Sequence, residues 1–405
     1  MPNRRRFLAA LGSFSIAGCS TQVETTSDGS TKSPTADKTT PAQSPLVQPE
    51  EIDGSWPMPY YDHRRGNYSP ESSGPTSPIR ELWRFETSTA LSKIIFADGT
   101  SLFVGGDDGY VREINATSGD LRWRRQVESP TGTPRYRNGM LFVPTAAGIM
   151  AFDIATKKEV WHVDDQHRVG ILVAPHGVYY VSNRDAPNLV SLRLNGGQER
   201  WRAEITEPWT TTLFADSDHV MVSTGTHERV PWMFSADSGE YLLKFRPEEG
   251  GSDMTDERFL LDDHVISVDP MFGEVSAARV DEGNYTWVWQ RSIDAVGGLA
   301  ISGGQNHVYV GAHHGPEAGL YALELTTGKT KWQIREEIEV VGRPTVGTET
   351  LLVRTTDSLR CYHPVTGAEL WRRSTQGIGS QVIVVDDLVF TARNGVIRAF
   401  RPKET

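Results

Sequence analysis

Residues 320–332 read Leu320-Tyr321-Ala322-Leu323-Glu324-Leu325-Thr326-Thr327-Gly328-Lys329-Thr330-Lys331-Trp332. An apolar run enters a Gly-containing turn, and a short charged strand then delivers a tryptophan. The phrase returns, with changes, at 115–123, 154–161, 194–201, 236–243, 282–287 and 365–371. A lone copy of its last strand, Ile79-Arg80-Glu81-Leu82-Trp83-Arg84-Phe85, comes before all of them. The anchor positions are Trp83, Trp123, Trp161, Trp201, Leu243, Trp287, Trp332 and Trp371, stepping by 40, 38, 40, 42, 44, 45 and 39 residues. A period near forty in a chain of 405 residues means that one supersecondary unit is repeated, because each unit must bury its apolar face against the next.

Ahead of each full anchor lies a pair of short β-branched and aromatic runs between Gly, Asn and Asp turns, such as Leu102-Phe103-Val104, Tyr179-Tyr180-Val181 and Val308-Tyr309-Val310. These are strand signals, and no segment carries a sustained helical period. Four strands per forty residues predict an all-β, eight-bladed β-propeller of four-stranded antiparallel blades. An eighth hairpin around Leu388-Val389-Phe390 ends at Pro402 without an anchor strand, while the strand around Trp83 has no hairpin before it. Joining the two closes the ring and removes an open sheet edge.

The copies ending at Trp332 and at Trp371, together with the lead-in residues Trp56-Pro57-Met58, Gly66-Asn67-Tyr68-Ser69-Pro70 and Gly74-Pro75, resemble the pyrroloquinoline-quinone-like propeller repeat over residues 54–402. That family includes quinoprotein dehydrogenases, an outer-membrane β-barrel assembly lipoprotein and sensor ectodomains, so the resemblance implies a fold and leaves function open. It implies that each anchor tryptophan packs between neighbouring blades. It also implies that an enzyme of this kind uses adjacent cysteines against the quinone, a tryptophan floor, a Ca²⁺ held by Glu, Asn and Asp, and an Asp base. This chain has only Cys19 and Cys361. The reading is therefore a non-enzymatic binding or scaffold module with no cofactor and no metal. The alternative is a dehydrogenase using pyrroloquinoline quinone.

The N-terminus reads as an address. Arg4-Arg5-Arg6-Phe7 precedes an apolar run from Phe7 to Ala17, too short for a permanent span. The arginines resemble a twin-arginine export signal, and Ile16-Ala17-Gly18-Cys19 resembles a lipobox. Residues 1–18 are thus expected to be a signal peptide, with lipid on Cys19 holding the protein at the outer face of the cell membrane. Of the 30 residues from 20 to 49, 12 are Ser or Thr and four are Pro, a composition that cannot offset its ordering entropy, so 19–49 reads as a disordered tether. Residues 50–78 form a lead-in, and 79–402 the propeller. The formal charge is −11, and a chain starting at Cys19 has 38 cations against 52 carboxylates. Such a surface argues against nucleic-acid binding, which needs clustered cations. Signal, tether and acidity together resemble surface lipoproteins of salt-adapted archaea, with a protein or envelope component as the expected partner.

Candidate ligand positions come from register. Counting back about nine residues from each hairpin reaches the innermost strand, which mostly shows Gly, Thr or Ser. Lys93, Asp256, Glu257 and Arg343 place charge there. Lys93 and Arg343 are expected to contact an anion at the channel mouth, with Asp256 and Glu257 as a negative rim. Asn115 and Asn284 stand in glycosylation sequons at repeat turns, and Asn67 stands in a third, which Pro70 handicaps. His313-His314 is expected in a solvated turn.

Overall fold

In the computed structural model, eight antiparallel sheets follow one another around an axis, each a meander from an innermost to an outermost strand. The structure describes residues 38–41, 52–97, 99–127, 132–165, 170–182, 187–205, 210–224, 231–244, 257–269, 273–281, 284–294, 296–335, 339–379 and 381–404. The signal and Cys19 lie outside these residues, as does Asp256. There is no helix among the described residues. Blades 1 to 7 begin with the innermost strands Ile95–Phe96, Arg135–Arg137, Leu172–Ala174, Thr210–Ala215, Glu257–Leu261, Val296–Gly304 and Thr345–Val346. Blade 8 comprises Gln381–Val385, Leu388–Arg393 and Val396–Pro402, completed by Ile79–Glu86. That closing strand pairs antiparallel with the last one, Trp83 facing Ala399 and Phe85 facing Ile397. Lys38–Pro41, within the stretch read as a tether, adds a fifth strand beside Ile79–Glu86.

Burial explains why the middle strands read as continuous apolar runs. Gly177–Ser182 and Met140–Pro144 are buried at every position, because a neighbouring blade covers each face of the sheet. Outer strands are covered on one side only. In Glu199–Glu204 and Glu369–Ser374 the anchor tryptophan alone is buried. The apolar clusters run between blades: one joins Phe103 and Val111 of blade 1 to Leu141 and Phe152 of blade 2, another joins Phe214 and Met221 of blade 4 to Leu260 and Val265 of blade 5.

Each anchor tryptophan reaches into the next blade. The ring lies on the left-handed glycine of the neighbouring turn: Trp83 on Gly119, Trp161 on Gly197, Trp201 on Gly239, Trp289 on Gly328 and Trp332 on Gly367. A Cβ added at those glycines would sit 2.5 to 2.7 Å from ring carbons. The indole N–H donates to a carbonyl in the same turn region, as from Trp83 to Ala116 O at 2.8 Å, Trp161 to Leu194 O at 2.9 Å and Trp332 to Pro364 O at 2.9 Å. Trp371 donates to Pro75 O at 2.7 Å.

The structure corrects two expectations. The blade 5 anchor is Trp289, not Trp287: Trp289 Nε1 donates to Leu325 O at 2.6 Å, and its ring is the one seated on Gly328. In every outer strand the anchor follows a β-bulge, and here the bulge pairs Trp287 with Ala278 and Trp289 with Ala277. In a regular strand two tryptophans two residues apart would share a face, so the pattern alone did not separate them; the bulge sets them opposite adjacent partners. His313-His314 is the end of the strand His307–His314 and not a turn.

Candidate functional site

The lead-in makes the site. Its backbone visits the blades in order. Trp56 exchanges two hydrogen bonds with Phe96 of blade 1, both 2.9 Å, and Tyr136 of blade 2 donates to Pro57 O at 2.8 Å. Met58 packs with Ile171 and Val173 of blade 3. Ala215 N then donates to His63 O at 3.0 Å, Leu260 N to Arg64 O at 2.8 Å and Gly303 N to Gly66 O at 2.9 Å. Val346 N donates to Asn67 O at 3.0 Å, and Gly74 N to Asp386 O at 2.8 Å. These partners lie mostly at the carboxyl ends of the innermost strands, so the segment makes one circuit of the channel at that end. The circuit is tight enough to hold Tyr60, Tyr61, Arg65 and Asn67 at φ of 66°, 79°, 68° and 57°, a left-handed backbone that side-chain-bearing residues seldom adopt.

Tyr60 is the hub. Lys93 Nζ donates to its hydroxyl at 2.5 Å and lies 3.8 Å from the ring centroid. The guanidinium carbons of Arg343 and Arg65 lie 4.3 and 4.5 Å from the same centroid. Arg343 Nη1 also donates to Arg65 O at 2.9 Å, which ties blade 7 to the lead-in. Burial alone would push the Tyr60 phenol up, but Lys93, Arg343 and Arg65 outweigh it and hold the phenol below its ordinary value. Burial lowers Lys93, and its contact with Tyr60 only partly opposes this. Burial, helped by Arg65 and opposed by Tyr60, lowers Arg135.

Above the ring is a cavity of about 570 Å³, lined among others by Tyr60, Ser92, Lys93, Arg343, Arg393 and Asn394. Lys93 and Arg343 come from just before two innermost strands and Arg393-Asn394 from a turn, so the cavity faces the opposite end of the channel from the lead-in's circuit. The described residues that line it include no carboxylate. Its wall is fixed by the Gln381 amide, which accepts from Ile94 N at 2.7 Å and donates to Ile94 O at 2.8 Å.

The sequence placed Lys93 and Arg343 at the channel, and the structure brings them onto one ring. Glu257 opens its strand, but its side chain, like all of Asp256, lies outside the described residues. Sequence reasoning missed Tyr60 and Arg65. Their signal was available: 56–67 is dense in aromatic and arginine residues yet lacks the alternation of a strand. Asn115 spends its side-chain carbonyl on Thr117 N at 2.9 Å and Thr117 Oγ1 at 2.8 Å. Asn67 buries its amide against Pro344 O at 2.6 Å, and the Asn284 side chain lies outside the described residues. Cys361 is buried in blade 7, where burial pushes its thiol far up.

Residues 80–287 and 272–404 match a family model described as outer membrane protein assembly factor BamB. The chain belongs to this pyrroloquinoline-quinone-like propeller family. No protein of curated function matches it in sequence. BamB from Moraxella catarrhalis is similar in structure, with a TM-score of 0.60 and 13% identity over 80% of this chain and 100% of that one. Quinohemoprotein alcohol dehydrogenase from Comamonas testosteroni gives 0.63 and 14%, over 87% and 82% of the two chains. The computationally designed Ika8 protein gives 0.63 and 14%, over 78% and 97%. A family propeller can therefore resemble an assembly factor, an enzyme and a designed protein at once, and its fold alone selects none of their roles.

Proposed function

We propose that this family member is an exported lipoprotein, anchored by lipid on Cys19 to the outer face of the cell membrane, whose propeller is a non-enzymatic binding or scaffold module for a protein or envelope component. The carrying observation is what lies inside the channel. The lead-in runs around one end with its own backbone, and the ring facing the cavity is Tyr60 among cations. A quinone site of the enzyme kind fits these residues poorly. No tryptophan lines the cavity among the described residues, the Cys361 thiol is buried in a blade, and no three His, Cys, Asp or Glu of the described residues converge as metal ligands. The likeness to assembly factor BamB supports a role in envelope protein interaction. The arginine start and the lipobox-like run to Cys19 support the anchor.

The rival reading, a quinone-dependent dehydrogenase, rests on the fold of the dehydrogenase neighbours. Titration of the purified protein with pyrroloquinoline quinone and Ca²⁺, followed by dye-linked oxidation of alcohols and sugars, separates the two. We expect no turnover; stoichiometric uptake with turnover overturns the binding-module reading. Cys19→Ser is expected to move the protein out of the membrane fraction, and unchanged fractionation overturns the anchor.

A further inference from the structure

We infer that the channel cavity is a binding site for a small oxyanion, a carboxylate or a phosphate, held by Lys93 and Arg343 across the Tyr60 ring. This deepens the binding-module reading by giving one of its sites a ligand class. Three features carry it. First, the site is concave and of ligand size, about 570 Å³, with Lys93, Arg343 and Arg393 among its lining residues. Second, the chain as a whole is acidic at −11, so its general field repels anions, while this channel gathers Lys93, Arg343 and Arg65 on a single aromatic ring. Solvating a rim does not require convergence of that kind.

Third, the cations are pre-positioned. Arg343 is fixed through Nη1 to Arg65 O at 2.9 Å, and Lys93 through Tyr60 and through its own backbone N–H to Thr133 Oγ1 at 3.2 Å. A ligand meeting a fixed ammonium and a fixed guanidinium does not have to order them, and the planar guanidinium suits the two oxygens of a carboxylate or phosphate. Arg393, which is exposed and lines the same cavity, adds a third cation at the solvent side. The amino acids at stake come from blades 1, 7 and 8 and from the lead-in, so the site exists only in the closed ring.

The test is calorimetric titration of the detergent-extracted full chain at low ionic strength with inorganic phosphate and, separately, with citrate. We expect saturable one-site binding of at least one of them, weakened about tenfold or more in Lys93→Met and in Arg343→Gln, since each removes a charge-assisted contact. Lys93→Arg should retain binding, and Arg401→Gln, a substitution in the last strand of blade 8, should leave it unchanged. A preference for phosphate assigns a phosphoryl ligand and a preference for citrate a carboxylate. The inference is overturned if neither anion saturates, if the channel variants bind like wild type, or if Arg401→Gln weakens binding as much as they do. Should Lys93→Met fail to fold, Arg343→Gln and Lys93→Arg decide it alone. Quinone turnover without anion binding defeats both readings, whereas anion binding with turnover defeats only the non-enzymatic one.

Discussion

Trp289 and Gly328 give the sharpest test of how the ring of blades holds together. The Trp289 side chain is buried, donates at 2.6 Å to Leu325 O, and places ring carbons 2.6 Å from where a Gly328 Cβ would be. Trp289→Ala should cost about 3–5 kcal/mol, the usual loss for a buried aromatic. Trp287→Ala, on a half-buried neighbour that does not seat on Gly328, should cost about 1 kcal/mol. Gly328→Ala should cost about 1–2 kcal/mol for the left-handed backbone at φ 65° and about 1–3 kcal/mol for the steric conflict with the ring. Those two contributions separate in a double-mutant cycle. In a Trp289→Leu background the ring is gone, so Gly328→Ala should retain only its backbone cost, and the double variant should beat the sum of the singles by about 1–3 kcal/mol. Urea unfolding followed by tryptophan fluorescence and by far-UV circular dichroism reads all four states. Strict additivity, or a Trp287→Ala loss larger than that of Trp289→Ala, would refute the seating of Trp289 on the next blade.

Two further outcomes follow from single positions. Lys157 stands at φ 60° where other blades carry glycine, and its Nζ pairs with Glu113, whose side chain is buried. Lys157→Gly should therefore destabilise, because the buried carboxylate loses its cation, and adding Glu113→Gln should restore wild-type stability or better, since the backbone is then relieved by about 1 kcal/mol; a single variant as stable as wild type in thermal melts would count against the pair. In the lead-in, burial pushes Asp62 up to about 6 and His63 down to about 4. A raised carboxylate makes stability fall as pH rises from about 4 to 6, and a lowered imidazole makes it rise from about 4 to 6.5, so the two nearly cancel. Asp62→Asn should then leave a protein whose melting temperature climbs over that window, and His63→Gln one whose melting temperature drops; parallel profiles for wild type and both variants would refute the assignment.

How much of this was legible in the chain divides along the repeat. Blade number, strand order and closure by the strand around Trp83 follow from spacing, because each blade buries the same faces against the same neighbours and so repeats the same letters. The blade 5 register failed because Trp287 and Trp289 would share a face in a regular strand, and the bulge that sets them opposite adjacent partners is invisible in composition. Lys93 and Arg343 were legible for the opposite reason: the equivalent positions near the start of most innermost strands are Gly, Thr or Ser, as at Gly132-Thr133, Gly170 and Thr211-Thr212, so a charge there breaks a pattern. Tyr60 and Arg65 had no pattern to break. They belong to the lead-in, which lies outside the repeat, and their partners lie tens to hundreds of residues away in sequence, from Lys93 to Arg343. A repeat fold supplies eight equivalent walls, and equivalent walls cannot by themselves tell a ligand where to sit. The asymmetry has to enter from a non-repeated element. Here it enters with residues 52–74, which pass every blade in turn and deliver Tyr60 between Lys93 of blade 1 and Arg343 of blade 7.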